Sequence, residues 1–149
     1  MNCFAYDPYI TDEDADAVGA QLVELEELLA VSDFIVIHAP LTKETYHMIG
    51  AKELDLMKPG VYLLNLGRGG IIDEEALFVA LTDGHVAAAA LDVTEKEPLI
   101  DSPLLSLPNF LCTPHIGGLT EDALRRAGIR VSIEALDAVG VKCIEKVED

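Results

Sequence analysis

The apolar positions of this chain fall into short continuous runs that alternate with stretches of helical spacing. Residues 3–6 form a brief apolar run closed by Asp7-Pro8, and a proline cannot continue a strand's hydrogen bonding, so a first strand is expected to end there. Residues 34–37, FIVI, are continuous and β-branched, as in strands buried on both faces of a parallel sheet, and His38-Ala39-Pro40 closes them. Runs at 61–64, 85–91 and 110–112 predict three more strands. Between them, Leu22, Leu25, Leu28 and Leu29 recur beside Glu24, Glu26 and Glu27, which predicts an amphipathic helix. Residues 51–57 predict one or two helical turns ended by Pro59-Gly60. Asp73 is placed to cap a helix reaching Asp83, where Gly84 supplies a C-terminal cap. A brief turn is expected around Leu104.

Thr120 is placed to cap a long last helix. Leu124, Ala127, Val131, Ala135 and Ala138 line one side of it and Ile129, Ile133 and Leu136 another, so it is expected to be covered on both sides. Residues 11–16 are acidic and read as solvated, and residues 141–149 read as a tail. Strands alternating with helices through short loops predict an α/β fold, a doubly wound parallel sheet of Rossmann type, over residues 1–140. No repeat, low-complexity tract or internal linker interrupts it.

Composition narrows the partners. With 149 residues, half of them hydrophobic, the chain can build one core. Ten Lys and Arg against 27 Asp and Glu give a net charge of −17, which repels nucleic-acid phosphates and anionic membranes. No apolar stretch approaches the roughly 20 residues of a membrane span, and the first ten residues lack a basic leader and apolar core, so a cytoplasmic protein is expected. Cys3, Cys112 and Cys143 show no paired spacing, so free thiols and no metal site are expected.

Candidate chemistry gathers at the predicted strand ends. In residues 63–81, LLNLGRGGIIDEEALFVAL, an apolar run stops at Asn65 and Arg68 stands between Gly67 and the pair Gly69-Gly70. A loop leaving the carboxyl end of a parallel strand opens on the crevice where such sheets bind ligands. A guanidinium there suits a carboxylate or phosphate, and it suits equally the capping of turn carbonyls. The glycines let a ligand or another backbone approach closely. His115, between Pro114 and Ile116-Gly117-Gly118, reads either as a structural or exposed histidine or as an acid–base group supported by Glu97 or Glu95. An anion-binding arginine with a proton-exchanging histidine points to oxidation or reduction beside a carboxylate, for which a nicotinamide cofactor must carry the hydride. Asp7 reads as a turn residue or as the acceptor for the two adenosine ribose hydroxyls, where it would repel the 2′-phosphate of NADP. Thr42 and Thr45 can cap the turn before Ala51. His38, His47 and His85 read as structural or exposed, and Glu95 as solvated.

The ordered segments HAPLTKETYHMIG, NLGRGGIIDEEAL, LDVTEKEPL and LPNFLCTPHIGGLT closely resemble the D-isomer-specific 2-hydroxyacid dehydrogenases, the family of phosphoglycerate dehydrogenase and hydroxypyruvate reductase, over residues 4–128. The resemblance implies that Arg68 binds the substrate carboxylate, that His115 is the acid–base and that Glu97 supports it. It implies NAD as cofactor, contacted by Asp7, Pro40, Thr45, Leu66, Gly67, Arg68, Asp92, His115, Gly117 and Gly118, with Asp92 at the nicotinamide amide. Glu97 argues against the formate dehydrogenase branch, which carries glutamine there. A 2-hydroxy or 2-oxo acid is the implied substrate, and a homodimer the implied state of the full-length parent. The family's first strand and GxGxxG loop, expected ahead of Cys3, do not occur in this sequence, nor does its substrate-binding domain. Hence the chain is expected to be part of an NAD-binding domain, inactive alone, with a gap in its sheet between the strands at 3–6 and 61–64. A dinucleotide-sensing or partner-binding module of the same fold is the alternative.

Overall fold

The computed structural model describes residues 1–141; the expected tail beyond Val141, with Cys143, lies outside the described residues. The chain divides into two compact units, Met1–Pro114 and His115–Asp149.

In the first unit β1 (Phe4–Ala5) pairs in parallel with β2 (Gln21–Leu22). A second parallel sheet holds β3 (Phe34–Ile37), β4 (Val61–Asn65), β5 (Val86–Leu91) and β6 (Phe110–Cys112) in that order. Helices α1 (Asp12–Ala17), α2 (Leu25–Val31), α3 (Ala51–Leu56) and α4 (Glu74–Thr82) connect successive strands, and a 3-10 turn at Pro103–Ser106 precedes β6. Alternation decides which face of the larger sheet is covered. Ile35, Leu63 and Ala89 lie opposite one another in register and are buried, in one core with Leu29 of α2, Leu54 of α3 and Leu77 and Leu81 of α4. The intervening row turns the other way, and Phe34, Val36, Tyr62 and Leu111 are exposed, with Phe34 and Tyr62 stacked at 4.9 Å. The parallel α/β architecture is therefore present, with helices packed on one face of the larger sheet where a doubly wound sheet has them on both.

Local chemistry sets the element ends. Asp73 Oδ1 accepts the amides of Glu75 and Ala76 and so caps α4, and Gly84 follows that helix at φ +82, a left-handed position that costs glycine little. Three expectations are corrected. Residues 11–16 are not merely solvated: Thr11 and Asp14 form a reciprocal capping box that starts α1. The helix expected from Leu22 begins at Leu25, because the amides of Gln21 and Val23 bond to the carbonyls of Cys3 and Ala5 and draw this segment into a strand. The strand at 61–64 does not border a gap; β4 is internal, between β3 and β5, and β3 is the edge.

The second unit contains α5 (Glu121–Ala138), whose first turn is fixed by Thr120 Oγ1 accepting the Ala123 amide at 3.1 Å. None of its residues is buried, so the expected cover on two sides is not found among the described residues. No helix among them is long and apolar enough to cross a membrane.

Candidate active site

The four strands of the larger sheet end in one row. Ile37, Asn65, Leu91 and Cys112 are register partners, and the chain leaves each strand at the same level. The ladder continues one residue further: Leu66 donates to the Ile37 carbonyl, Asp92 to that of Asn65 and Thr113 to that of Leu91, each at 3.0 Å. Parallel pairing thus brings residues 38, 66, 92 and 113 together at the carboxyl edge, where open α/β sheets bind ligands.

Between the ends of β3 and β4 lies a cleft of about 360 Å³, lined by His38, Ala39, Pro40, Leu41, Leu66, Gly67 and Arg68. Its walls are apolar at Pro40, Leu41 and Leu66, and its cation is Arg68. Nη1 of Arg68 donates to the Gly67 carbonyl at 2.7 Å. That bond uses one of the five N–H groups of a guanidinium. Buried Asn65 holds the loop: its Oδ1 accepts the Gly67 amide at 3.0 Å and its Nδ2 donates to the Arg68 carbonyl at 2.9 Å. Gly67 is needed because a Cβ there would lie 2.6 Å from the Ala39 carbonyl oxygen. The close neighbour at Gly67 is therefore backbone of the same chain.

Asp92 is buried, and its Oδ1 accepts the Thr113 hydroxyl at 2.5 Å. Glu97, at the far end of the loop from Asp92, accepts the Thr94 amide at 3.3 Å. Asp7 is exposed beyond β1 and accepts the Tyr9 amide at 2.9 Å, the turn its sequence anticipated, with acceptor capacity to spare. Thr45 Oγ1 donates to the Pro40 carbonyl and accepts the Thr42 amide, both at 2.7 Å, and shapes the cleft through Pro40. Pro40, Leu66, Gly67 and Arg68 thus share one cleft, with Asp92 on the same edge. His115, Gly117 and Gly118 belong to the second unit, and His115 opens it with left-handed backbone at φ 56.

Glu95 is exposed, as expected, and is also bonded on three sides. Its amide donates to Glu74 Oε1 at 2.7 Å, its Oε1 accepts the Glu74 amide at 3.2 Å, and the same oxygen lies 3.0 Å from His47 Nε2. Burial pushes the Glu74 carboxyl above the usual glutamate range; the Glu95 charge adds to this, and the Glu95 amide and His47 oppose it. A raised carboxyl pKa means that the folded state holds a proton the unfolded state has released, so this contribution to stability is lost as pH rises through the shifted value. Glu74→Gln keeps an acceptor for the Glu95 amide and is expected to stabilise at pH 7 by less than about 1 kcal/mol. Urea titrations across pH should show that advantage vanishing below the ordinary glutamate range. Burial also raises the Cys112 thiol, with further contributions from the Glu74, Asp92 and Glu97 charges, which makes it a poor nucleophile. Among the described residues no group of three or more His, Cys, Asp or Glu is placed to hold a metal ion.

Residues 1–117 match the family described as D-isomer specific 2-hydroxyacid dehydrogenase, NAD binding domain. The chain belongs to this family. It is 49% identical over 133 residues to D-3-phosphoglycerate dehydrogenase of Methanocaldococcus jannaschii, covering 89% of this chain and 25% of that protein. It is 51% identical over 111 residues to glyoxylate reductase of Thermococcus litoralis, covering 74% of this chain and 34% of the relative. Among solved structures, a glyoxylate reductase from Paecilomyes thermophila superposes with a TM-score of 0.83 at 37% identity, over 91% of this chain and 42% of that one. A D-lactate dehydrogenase from Aquifex aeolicus, solved with NAD and lactic acid, gives a TM-score of 0.81 at 35% identity, over 94% and 47% of the two chains. The chain therefore spans a quarter to a half of the relatives it matches.

The residues suit part of a nicotinamide dinucleotide. An exposed carboxylate at the end of β1 can accept from ribose hydroxyls, and the cleft beside Arg68 offers apolar walls for a flat ring. The residue that sequence reasoning passed over is Asn65, whose signal is a polar side chain closing an apolar strand two residues before a glycine.

Proposed function

We propose that this chain is the NAD-contacting part of a dehydrogenase that interconverts a D-2-hydroxy acid and its 2-oxo acid. The carrying observation is the shared row of strand ends, which sets the Arg68 cleft and Asp92 on one edge. Asp7 would hold the adenosine ribose, Asp92 the nicotinamide amide, and Pro40, Thr45, Leu66, Gly67, Gly117 and Gly118 would make further contacts to the cofactor. NAD, when bound, supplies the acceptor or donor of the hydride. Arg68 presents its fork to the substrate carboxylate and fixes the adjacent carbon. His115 takes the proton from the substrate hydroxyl on oxidation and returns it on reduction, and Glu97 stabilises the imidazolium that forms.

The open sheet face and the terminal position of β3 in its sheet support the further reading that these residues do not turn over substrate by themselves. The purified chain should leave NADH unoxidised by hydroxypyruvate or glyoxylate. The positive test grafts residues 4–128 into the matching part of the Thermococcus litoralis glyoxylate reductase. The graft should reduce a 2-oxo acid with NADH, and Arg68→Lys should raise the KM for that acid about tenfold by losing the bidentate fork. A folded graft that binds NADH without turnover would overturn the catalytic reading in favour of a dinucleotide-sensing module.

A further inference from the structure

Three loops carry the groups assigned above: residues 38–50 with Pro40 and Thr45, residues 65–73 with Arg68, and residues 92–97 with Asp92 and Glu97. One side chain outside that set, His47, touches all three. Its backbone amide donates to the Gly70 carbonyl at 2.8 Å, and the segment then runs on beside the second loop, with Ile49 bonded to Ile71 and Asp73 to Ile49. Its ring stacks on Tyr46 at 4.0 Å, and Tyr46 in turn lies over Gly70. Nε2 lies 3.0 Å from Glu95 Oε1, and Nδ1 lies 3.7 Å from Asp73 Oδ2. His47 is held at φ +50, a left-handed backbone that a non-glycine residue adopts only where its surroundings impose it.

The reach of Glu95 makes this bracket matter. Glu95 and Glu74 exchange backbone-to-carboxylate bonds, which ties the third loop to the start of α4. The residue before it, Thr94, is buried, gives its amide to Glu97 Oε1 and gives its hydroxyl to the Lys96 carbonyl. Whatever fixes Glu95 therefore fixes the amide that orients Glu97. The imidazole thus stands between the carboxylates of Glu95 and Asp73 and spans the loops that carry them.

We propose that His47 is a positioning residue: through Glu95 it fixes the loop that presents Glu97, and through its backbone it fixes the loop that presents Arg68. The importance of Glu97 and Arg68 rests on the function proposed above, whereas the bracket itself can be read without ligand.

The test is residue-resolved hydrogen exchange on the full 149-residue chain. His47→Asn tolerates the left-handed backbone and is too short to reach Glu95; His47→Gln extends an amide to it. In His47→Asn the amides of Thr94 and Glu95 should exchange about tenfold faster, while those of Leu63 and Ala89 in the sheet keep their rates. His47→Gln should recover most of the protection, and Glu95→Ala should reproduce the loss. Unchanged exchange at Thr94 and Glu95 in His47→Asn overturns the proposal, as does a loss spread evenly over the sheet, which would mark a merely structural role. Failure of the grafted enzyme to turn over would overturn the catalytic reading and leave these exchange results untouched.

Discussion

Gly69→Ala is expected to destabilise the first unit by at least about 4 kcal/mol, a cost reached only when a core or backbone contact is violated outright. A Cβ at this position would overlap the Thr94 carbonyl and stand 2.9 Å from the Glu95 amide nitrogen. Both neighbours are backbone, so no rotamer change relieves the clash. Nor can the loop at Thr94 retreat freely: Thr94 and Glu95 are bonded to Glu97, Lys96 and Glu74. Gly128→Ala provides the contrast. Nothing lies within 4 Å of a Cβ at Gly128, inside α5, so the same substitution should raise helix stability by about 1 kcal/mol. All four tyrosines, Tyr6, Tyr9, Tyr46 and Tyr62, lie in the first unit and the chain has no tryptophan, so tyrosine fluorescence in urea reports on that unit alone. An unchanged midpoint for Gly69→Ala would mean that the approach of these two loops is not a fixed feature of the fold.

This contact also shows what could be read in advance. Strands such as Phe34–Ile37 and Val61–Asn65, and the caps at Asp73 and Thr120, announce themselves because their causes are local: continuous apolar residues, a bounding proline or glycine, a short side chain before a helix. The capping box of Thr11 and Asp14 was equally local, but its acidic composition masked it. Gln21–Leu22 could not be read that way, since its strand exists only through pairing with the carbonyls of Cys3 and Ala5, inside a leucine pattern that favours helix. The bonds of exposed Glu95 escape the sequence for a similar reason. Its partners Glu74 and His47 are 21 and 48 residues away, and the pattern around it says nothing of them. The glycines of the Arg68 loop were legible as places of close approach, while the identity of what approaches Gly67 and Gly69, the backbone at Ala39 and Thr94, required the fold.

Asn65→Ala is expected to cost about 2–4 kcal/mol, because it leaves the Gly67 amide and the Arg68 carbonyl without the partner that Asn65 now supplies. Asn65 is 1% exposed, so water does not readily replace the lost amide. Asn65→Asp separates the two bonds. An aspartate still accepts from the Gly67 amide, but it cannot donate to the Arg68 carbonyl while ionised, and its charge is buried. Burial raises the pKa of that carboxyl in the folded state, so the variant should lose stability as pH rises through the shifted value. Asn65→Ala should show no such added slope. Since Asn65 is the last residue of β4 and Arg68 lies three residues on, loosening this staple also frees the guanidinium from its place in the cleft. In the grafted reductase, Asn65→Ala should therefore raise the KM for the 2-oxo acid in the same direction as Arg68→Lys. A normal KM with reduced stability would assign Asn65 to folding alone and separate the shape of this loop from its use of Arg68.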